Sequence, residues 1–275
     1  MRRSILRILC AGVCAALLSG CAAVPLDAAG STGAESAAVS GPDGVTLVCR
    51  VVELCADDSL LLAGYGEDAD GEAAVYTVPV RDLSVTYEDP EDAAYGLRAG
   101  SVAELSYSGA VEETFPARPA QPGALRIRHA GFDDRCRLYR EVLEDLWNTD
   151  RALNEEIHQL GVDLTETTLT PAERSAVSWS FGTGHALVPI QGTIRQLTEE
   201  GYLSGMEPDA EEIPTWKDGC LFTLSEQPAP DEDTLCFDAQ KWRSALGAYF
   251  FADCTAQRTQ TGAWGDYQVG SEAIS

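Results

Sequence analysis

Residues 150–158 combine the side chains that acid–base chemistry needs. Asp150, Glu155 and His158 lie close together there, and His158 is one of only three histidines in the chain. On a helix, side chains three or four positions apart share a face, so a carboxylate could orient the imidazole as a general base. The stretch therefore indicates a hydrolase site. A solvated helix face explains the same residues, because Ile157 marks a buried side next to them.

A second group, formed by Lys241, Trp242 and Arg243, is the densest cluster of positive charge in an acidic chain. The predicted arms of a terminal hairpin, residues 245–255 and 264–269, place aromatic side chains near it. We expect a pocket for an anionic or sugar ligand, lined by Lys241, Trp242, Arg243, Tyr249 and Trp264. The alternative is that Trp242 belongs to the core and that the two cations contact water or Asp238.

No complete catalytic or metal-binding motif is present. The sequence has no Gly-x-Ser-x-Gly elbow, no Walker loop and no catalytic cysteine signature. Its cysteines and histidines also lack the spacings that are typical of zinc sites. We therefore expect a non-enzymatic protein without a metal or cofactor, and we keep the hydrolase as an alternative.

The N-terminus indicates where these groups work. Basic residues precede an apolar run over residues 8–18, which is too short to cross a bilayer core of about 30 Å as a helix and is typical of a secretion signal. The following Leu18-Ser19-Gly20-Cys21 resembles the lipobox of bacterial lipoproteins. The resemblance implies that residues 1–20 are removed and that Cys21 carries lipid. An ordinary signal peptide cleaved at Ala22 or Ala23 is the alternative.

The mature chain is strongly acidic. The full sequence of 275 residues has a net charge of −25, and removing residues 1–20 leaves 16 basic against 44 acidic residues, a charge of −28. Binding to nucleic acid depends mainly on Lys and Arg that neutralise phosphates, so a nucleic acid partner is excluded. The expected partners are the membrane, through the Cys21 lipid, and a ligand or protein of the cell envelope.

The elements that must position these groups fall into two regions. Residues 21–44 are rich in Ala, Gly, Ser and acids and predict a flexible tether. Residues 45–130 contain short β-rich runs separated by turn residues, which predicts a small closed or partly closed barrel. Residues 131–275 predict a separate α+β domain, with helices over 139–147, 150–161, 171–181 and 193–200 followed by antiparallel strands.

The first region also has a recognisable pattern. Residues 75–79, 97–109 and 111–117 resemble a small β-barrel domain of unknown function, OB-like in outline, that is found in Gram-positive secreted lipoproteins. The resemblance covers residues 44–128 and is most specific over residues 100–117. The family has no established activity, so the resemblance implies a fold and no catalytic residue.

The second region resembles known proteins less specifically. Its element order is similar to that of cystatin-like and NTF2-like domains, without a shared motif. Residues 238–250 and 273–275 resemble segments of uncharacterised lipoproteins from gut Gram-positive bacteria, which implies a family and no function.

Six cysteines remain after Cys21: Cys49, Cys55, Cys136, Cys220, Cys236 and Cys254. An even number in an exported protein permits disulfides, with fifteen possible connectivities. Cys49 and Cys55 lie about 20 Å apart if they share a straight strand, which is too far for a disulfide.

Taken together, the sequence predicts a lipid-anchored protein on the extracytoplasmic face of the cell membrane. Its expected role is to bind a ligand or a protein partner without catalysis. A hydrolase that uses the residues around His158 and a purely structural scaffold are the two alternatives.

Overall fold

The computed structural model describes residues 44–275 except 70, 72 and 206–212. Cys21, the signal peptide and the tether lie outside the described residues. Dense β-branched and leucine residues form the first strands, and the Thr170 capping box with Pro171 begins a long helix as the sequence predicts. None of the described helices is both long and apolar enough to cross a membrane.

The elements follow in chain order. Eight strands come first: β1 (Val45–Leu54), β2 (Ser59–Gly64), β3 (Val75–Pro79), β4 (Ser84–Tyr87), β5 (Val102–Tyr107), β6 (Val111–Glu112), β7 (Arg118–Pro119) and β8 (Pro122–Ile127). Then follow α1 (Arg135–Asn148), β9 (Gln159–Glu166), α2 (Pro171–Gly184), β10 (Pro189–Gln191), α3 (Ile194–Glu199), β11 (Gly219–Gln227), β12 (Thr234–Ser244), β13 (Gly247–Gln257) and β14 (Ser271–Ile274).

The result is an α+β fold with two sheets of six strands. The first sheet has the order β3-β2-β1-β5-β8-β4, and the second has the order β10-β9-β11-β12-β13-β14. β6 and β7 form a separate small ribbon. Within the described residues the first sheet is open and does not close into a barrel. One reason is that Ala117, instead of β4, pairs with the outer edge of β3: Thr77 donates to the Ala117 carbonyl at 2.9 Å, and Ala117 donates to Val75 at 2.8 Å.

The predicted helix over residues 150–161 is wrong. The chain makes a short 3-10 turn, Arg151–Asn154, and then enters β9 at Gln159. Asp150 and Glu156 have positive φ angles of 41° and 56°, which no right-handed helix accepts. Leu160, Val162 and Leu164 are all buried and follow the two-residue period of a strand.

The prediction of helices followed by antiparallel strands is also wrong in part. β9 lies between α1 and α2 and is parallel to both β10 and β11. Gly161, expected to end a helix, instead lies in β9 under the ring of Trp216. A Cβ there would come within 2.5 Å of that ring.

Two large apolar clusters fill the described fold. One face of the first sheet, with Leu61 and Val75, packs with α1, α2 and the second sheet in a common core. The other face of the first sheet, with Leu60 and Leu105, packs in a second, separate apolar cluster. The division into domains at residue 130 stays a prediction, since core residues from both sides of it share the first cluster.

Candidate functional site

A long groove runs over the outer edge of β3. It has two lobes of about 440 and 430 Å³ that share the lining residues Asp57, Ser59, Thr77 and Arg118. We call it the edge groove. Ligand sites are usually concave and of this order of size, so it is the leading candidate site.

The edge groove is assembled from separate parts of the chain. The turn between β1 and β2 supplies Asp57 and Asp58, and the carboxylate of Asp57 accepts hydrogen bonds from the backbone and hydroxyl of Ser59 at 3.2 and 2.6 Å. These bonds lower the pKa of Asp57 below its ordinary value, so the turn carries a negative charge at neutral pH. The segment that pairs along β3 supplies Phe115 and Arg118.

The first lobe ends in a charged network built by β1, α1 and α2. The Ser180 hydroxyl donates to Oε2 of Glu53, and Oε1 of Glu53 lies 3.8 Å from Arg140 Nη2. Arg140 Nη1 lies 3.8 Å from Glu144, whose other oxygen lies 3.1 Å from Nε2 of His185. Since Ser180 is 6% exposed, the network orients Arg140 and does not present an accessible nucleophile.

Aromatic side chains line the same lobe. Phe115 is 49% exposed, and Trp179 of α2 is half-buried. Both line the lobe together with Pro116. Exposed aromatic surface beside rigid proline is suited to binding apolar or ring groups, because little conformational entropy is lost there.

Arg118 lies where the two lobes meet. It is exposed, and its guanidinium makes no hydrogen bond or ion pair with another described residue, although its charge is one of the causes that lower the pKa of Asp57. Its guanidinium is therefore available for a carboxylate or phosphate, which Arg binds in a planar, two-pronged geometry. Sixteen basic residues follow residue 20, and three of them, Arg81, Arg118 and Arg140, line this groove.

The predicted ligand-binding cations Lys241 and Arg243 donate their hydrogen bonds to groups of the protein itself. Lys241 is completely buried, and its ammonium donates to the backbone carbonyls of Thr149 and Asp150 and to Oδ1 of Asn154. Burial lowers the pKa of Lys241. Arg243 donates to the carbonyls of residues 153, 155 and 217 at 3.0 to 3.3 Å.

The three predicted aromatic side chains are distributed over the second sheet. Trp242 packs in a small cluster with Leu203 and Trp216. Tyr249 pairs across the strands with Lys241 and donates to Glu272. Trp264 is buried and bridges to Arg258, which directly follows the end of β13. Arg258 is nine residues of extended chain from Tyr249, a distance of about 30 Å. The structure therefore does not bring the five predicted residues into one pocket.

The predicted hydrolase region is not arranged as a helix face. Asp150 begins the 3-10 turn, Glu155 follows it, and exposed His158 directly precedes β9. The backbone of His158 donates to Asp218 at 2.9 Å. The helical spacing on which the acid–base prediction depended is absent.

All six cysteines that follow the tether are free thiols. Cys236 and Cys254 lie on neighbouring strands, but Cys254 is opposite Phe237 in the core while Cys236 is on the other face of the sheet. Cys55 is half-buried in the first lobe of the edge groove, where burial raises the pKa of its thiol. No group of three or more His, Cys, Asp or Glu side chains in the described part of the chain could hold a metal ion.

The edge groove was missed because its parts are remote in sequence. Arg118 lies in a segment rich in proline and glycine, which has no periodic pattern that would indicate a site. A usable signal was the rarity of basic residues, since Arg118 is one of only 19 in a chain with 44 acidic residues. Comparisons with protein-family models, with curated proteins and with solved structures found no match for this chain.

Proposed function

We propose that this protein is a lipid-anchored extracytoplasmic binding protein that holds an extended peptide segment in the edge groove. The observation that carries the proposal is the unpaired Arg118 between two lobes, three residues from the exposed ring of Phe115. Anchoring through Cys21 is part of the proposal and rests on the resemblance to a lipobox. The OB-like outline of the first region and the cystatin-like or NTF2-like order of the second also remain proposals.

The spacing of these groups specifies the ligand. Phe115 and Arg118 are separated by at most about 10 Å of extended chain. Side chains two positions apart in an extended peptide share a face and lie about 7 Å apart, which is within this limit. The ligand class is therefore a peptide with an aromatic-x-Glu pattern, in which the ring contacts Phe115 and Trp179 and the carboxylate contacts Arg118.

Non-enzymatic binding is favoured over hydrolysis. The network of Glu53, Ser180 and Arg140 is closed by its own contacts, and the helix that would have aligned Asp150 with His158 is replaced by a turn and a strand. A scaffold without a ligand is the competing outcome of the binding test.

The test uses residues 22–275, which are the mature chain without the lipid-bearing Cys21, and acetylated, amidated hexapeptides. We expect a Tyr-x-Glu peptide to bind measurably by calorimetry and its Tyr-x-Gln counterpart to bind about tenfold more weakly, because a charge-assisted hydrogen bond is lost. Arg118→Ala should remove that preference. Arg195→Ala is the matched control, since Arg195 is exposed on α3 and lies outside the groove.

Two results would count against the proposal. Equal affinity of the Glu and Gln peptides would remove Arg118 as the specificity contact. No binding of either peptide would favour the scaffold. The anchor is tested separately: Cys21→Ser should move the protein from the membrane fraction to the medium, and unchanged membrane association would contradict lipid attachment at Cys21.

A further inference from the structure

A second concave site lies on the second sheet, on the face turned away from α1 and α2. It is a depression of about 290 Å³ over β11, β12 and β13. Six lining residues carry the argument that follows: Thr223, Ser225, Asp238, Gln240, Phe250 and Ala252. The edge groove shares no lining residue with it.

Strand register places these side chains in two rows. Thr223 is opposite Gln240, and Gln240 is opposite Phe250, which gives the first row. Ser225 is opposite Asp238 in the second row. The intervening Phe222 and Leu224 are buried in the main core, so the two rows occupy the outer face of the sheet.

Irregularities in pairing curve the sheet at this level. The register of β11 against β9 shifts between Thr223 and Ser225, and the register of β12 against β13 shifts between Phe237 and Ala239. Asp253 lies in the second irregularity with a positive φ of 55°. β-bulges often lie beside binding sites, because they bend a strand and redirect its side chains.

The polar groups of the depression are either unpaired or fixed. Thr223, Ser225 and Gln240 are all partly buried, and their side chains make no hydrogen bond to another described residue. Asp238 is held in place, since its Oδ1 accepts from the Asp253 backbone at 2.8 Å and its Oδ2 accepts from Gln227 at 3.1 Å. Its remaining lone pairs can accept from a ligand hydroxyl.

The walls add an apolar surface and set the size. The ring of Phe250 lines one side, and Trp242 lies one row further along the same face, where it packs against Trp216 and Leu221. A volume of about 290 Å³ lies at the lower end of the usual range for ligand pockets, which favours a single ring over an oligosaccharide. No cation lines the depression, so an anion has no counter-charge there.

We infer that this depression binds a single neutral, polyhydroxylated ring, such as one unit of a sugar, with its apolar face on Phe250. Its hydroxyl groups donate to Asp238 and exchange hydrogen bonds with Thr223, Ser225 and Gln240. This is a different ligand class from the peptide proposed for the edge groove, and the two sites can be tested independently in the same molecule.

The test is an NMR titration of residues 22–275, the mature chain without Cys21, with glucose, N-acetylglucosamine and glucuronate. We expect saturable binding of at least one neutral sugar with a Kd on the order of 1 mM, with shift changes at the backbone amides of β11 to β13. Glucuronate should bind more weakly than glucose, because Asp238 repels its carboxylate and no cation compensates.

Variants locate the binding and separate it from folding. Thr223→Val and Gln240→Ala should each weaken binding by about tenfold, since each removes hydrogen bonds to the ring. Phe250→Leu keeps the bulk and removes the aromatic face, and it should also weaken binding. Thr255→Val is the matched control, because Thr255 is exposed on β13 outside the depression.

No saturable shift with either neutral sugar, or shifts that map to other strands, would overturn the inference. So would binding that Gln240→Ala and Thr223→Val leave unchanged. Arg118→Ala should have no effect on sugar binding, so failure of the peptide proposal and failure of this one give different results.

Discussion

Nε of Arg50 lies 2.5 Å from Oε1 of Glu173, and both side chains are less than 10% exposed. The pair joins β1 to α2. Arg50 also donates through Nη1 to the carbonyls of Gly100, Gly131 and Asp133 at 2.9 to 3.1 Å. The other oxygen of Glu173 accepts from the backbone of Thr170 at 2.9 Å. Four segments of the chain therefore meet at one buried guanidinium.

Breaking this pair should strongly destabilise the protein. We expect Glu173→Gln to lower the free energy of unfolding by about 3–5 kcal/mol, because it leaves a buried cation without its counter-charge. Urea denaturation followed by tryptophan fluorescence measures the change. Glu104→Gln is the control, since Glu104 pairs with Arg126 at the partly exposed surface and should cost about 0–1 kcal/mol. A similar small loss for Glu173→Gln would contradict the assignment.

Gly161 should not tolerate a side chain. A Cβ there would lie 2.5 Å from the ring of Trp216 and 2.9 Å from Leu221. We expect Gly161→Ala to cost about 1–3 kcal/mol of stability through overpacking. Gly123→Ala is the control, because the nearest atom to its Cβ would be 3.8 Å away, an ordinary contact. Equal melting temperatures for the two variants would show that Trp216 moves aside freely.

Lys241 should contribute to the stability of the fold and not to ligand binding. Lys241→Met leaves the carbonyls of Thr149 and Asp150 without their buried donor, so we expect a loss of about 1–3 kcal/mol. Lys217→Met, which changes the only other lysine and an exposed one, should be close to neutral. Affinity of the folded Lys241→Met variant for any bound ligand should match the wild type. A selective loss of affinity would restore the pocket predicted from the sequence.

The buried thiols should make the fold sensitive to alkali. Burial raises the pKa of the Cys49 and Cys220 thiols to about 12, against an ordinary value of 9.0. Above pH 9 the unfolded chain loses these protons while the folded chain keeps them, so folding stability falls as pH rises. Each such thiol contributes a slope of up to about 1.4 kcal/mol per pH unit. Below pH 9 the two buried thiols make their full contribution to the stability of the fold.

Urea titrations between pH 7.5 and 10.5 measure this slope. Cys49→Ala should reduce the slope by the contribution of one thiol. The change in stability that the substitution causes at pH 7.5 is subtracted first. Stability that is flat or rising above pH 9 would contradict the expected direction. In native labelling with iodoacetamide at pH 8, half-buried Cys55 and Cys236 should react before the four buried cysteines.

Local patterns predicted much of the secondary structure. The capping box at Thr170 and the strand-rich first region were correct, because capping and period-two alternation are determined within a few residues. The predicted helix over residues 150–161 was wrong because two sequence signals competed there. The i, i+3 spacing of Ile157 and Leu160 suggested a helix, while Leu160, Val162 and Leu164 followed the period of the buried strand β9, and the tertiary contacts favoured the strand.

The candidate sites could not be predicted from local sequence patterns. Arg118 and Arg140 belong to different elements, and only the fold of the segment along β3 brings them to one groove. In the second sheet, the cationic cluster predicted as a site lies on β12, but the sequence did not indicate which face of the strand each residue would occupy. Lys241 points toward the helices while its neighbour Gln240 lines the depression on the opposite face. A shift of one position reverses the face, which cationic clustering does not reveal.

The segment that carries Ala117 along β3 would have a further consequence if the proposed lipid anchor holds the protein at a membrane. Molecules confined to a surface meet at high local density, and an open strand edge is a template on which they can polymerise. By occupying the outer hydrogen bonds at Val75 and Thr77, this segment prevents β3 from pairing with a neighbouring molecule. The same few residues that border the groove therefore favour molecules that remain separate when crowded in two dimensions.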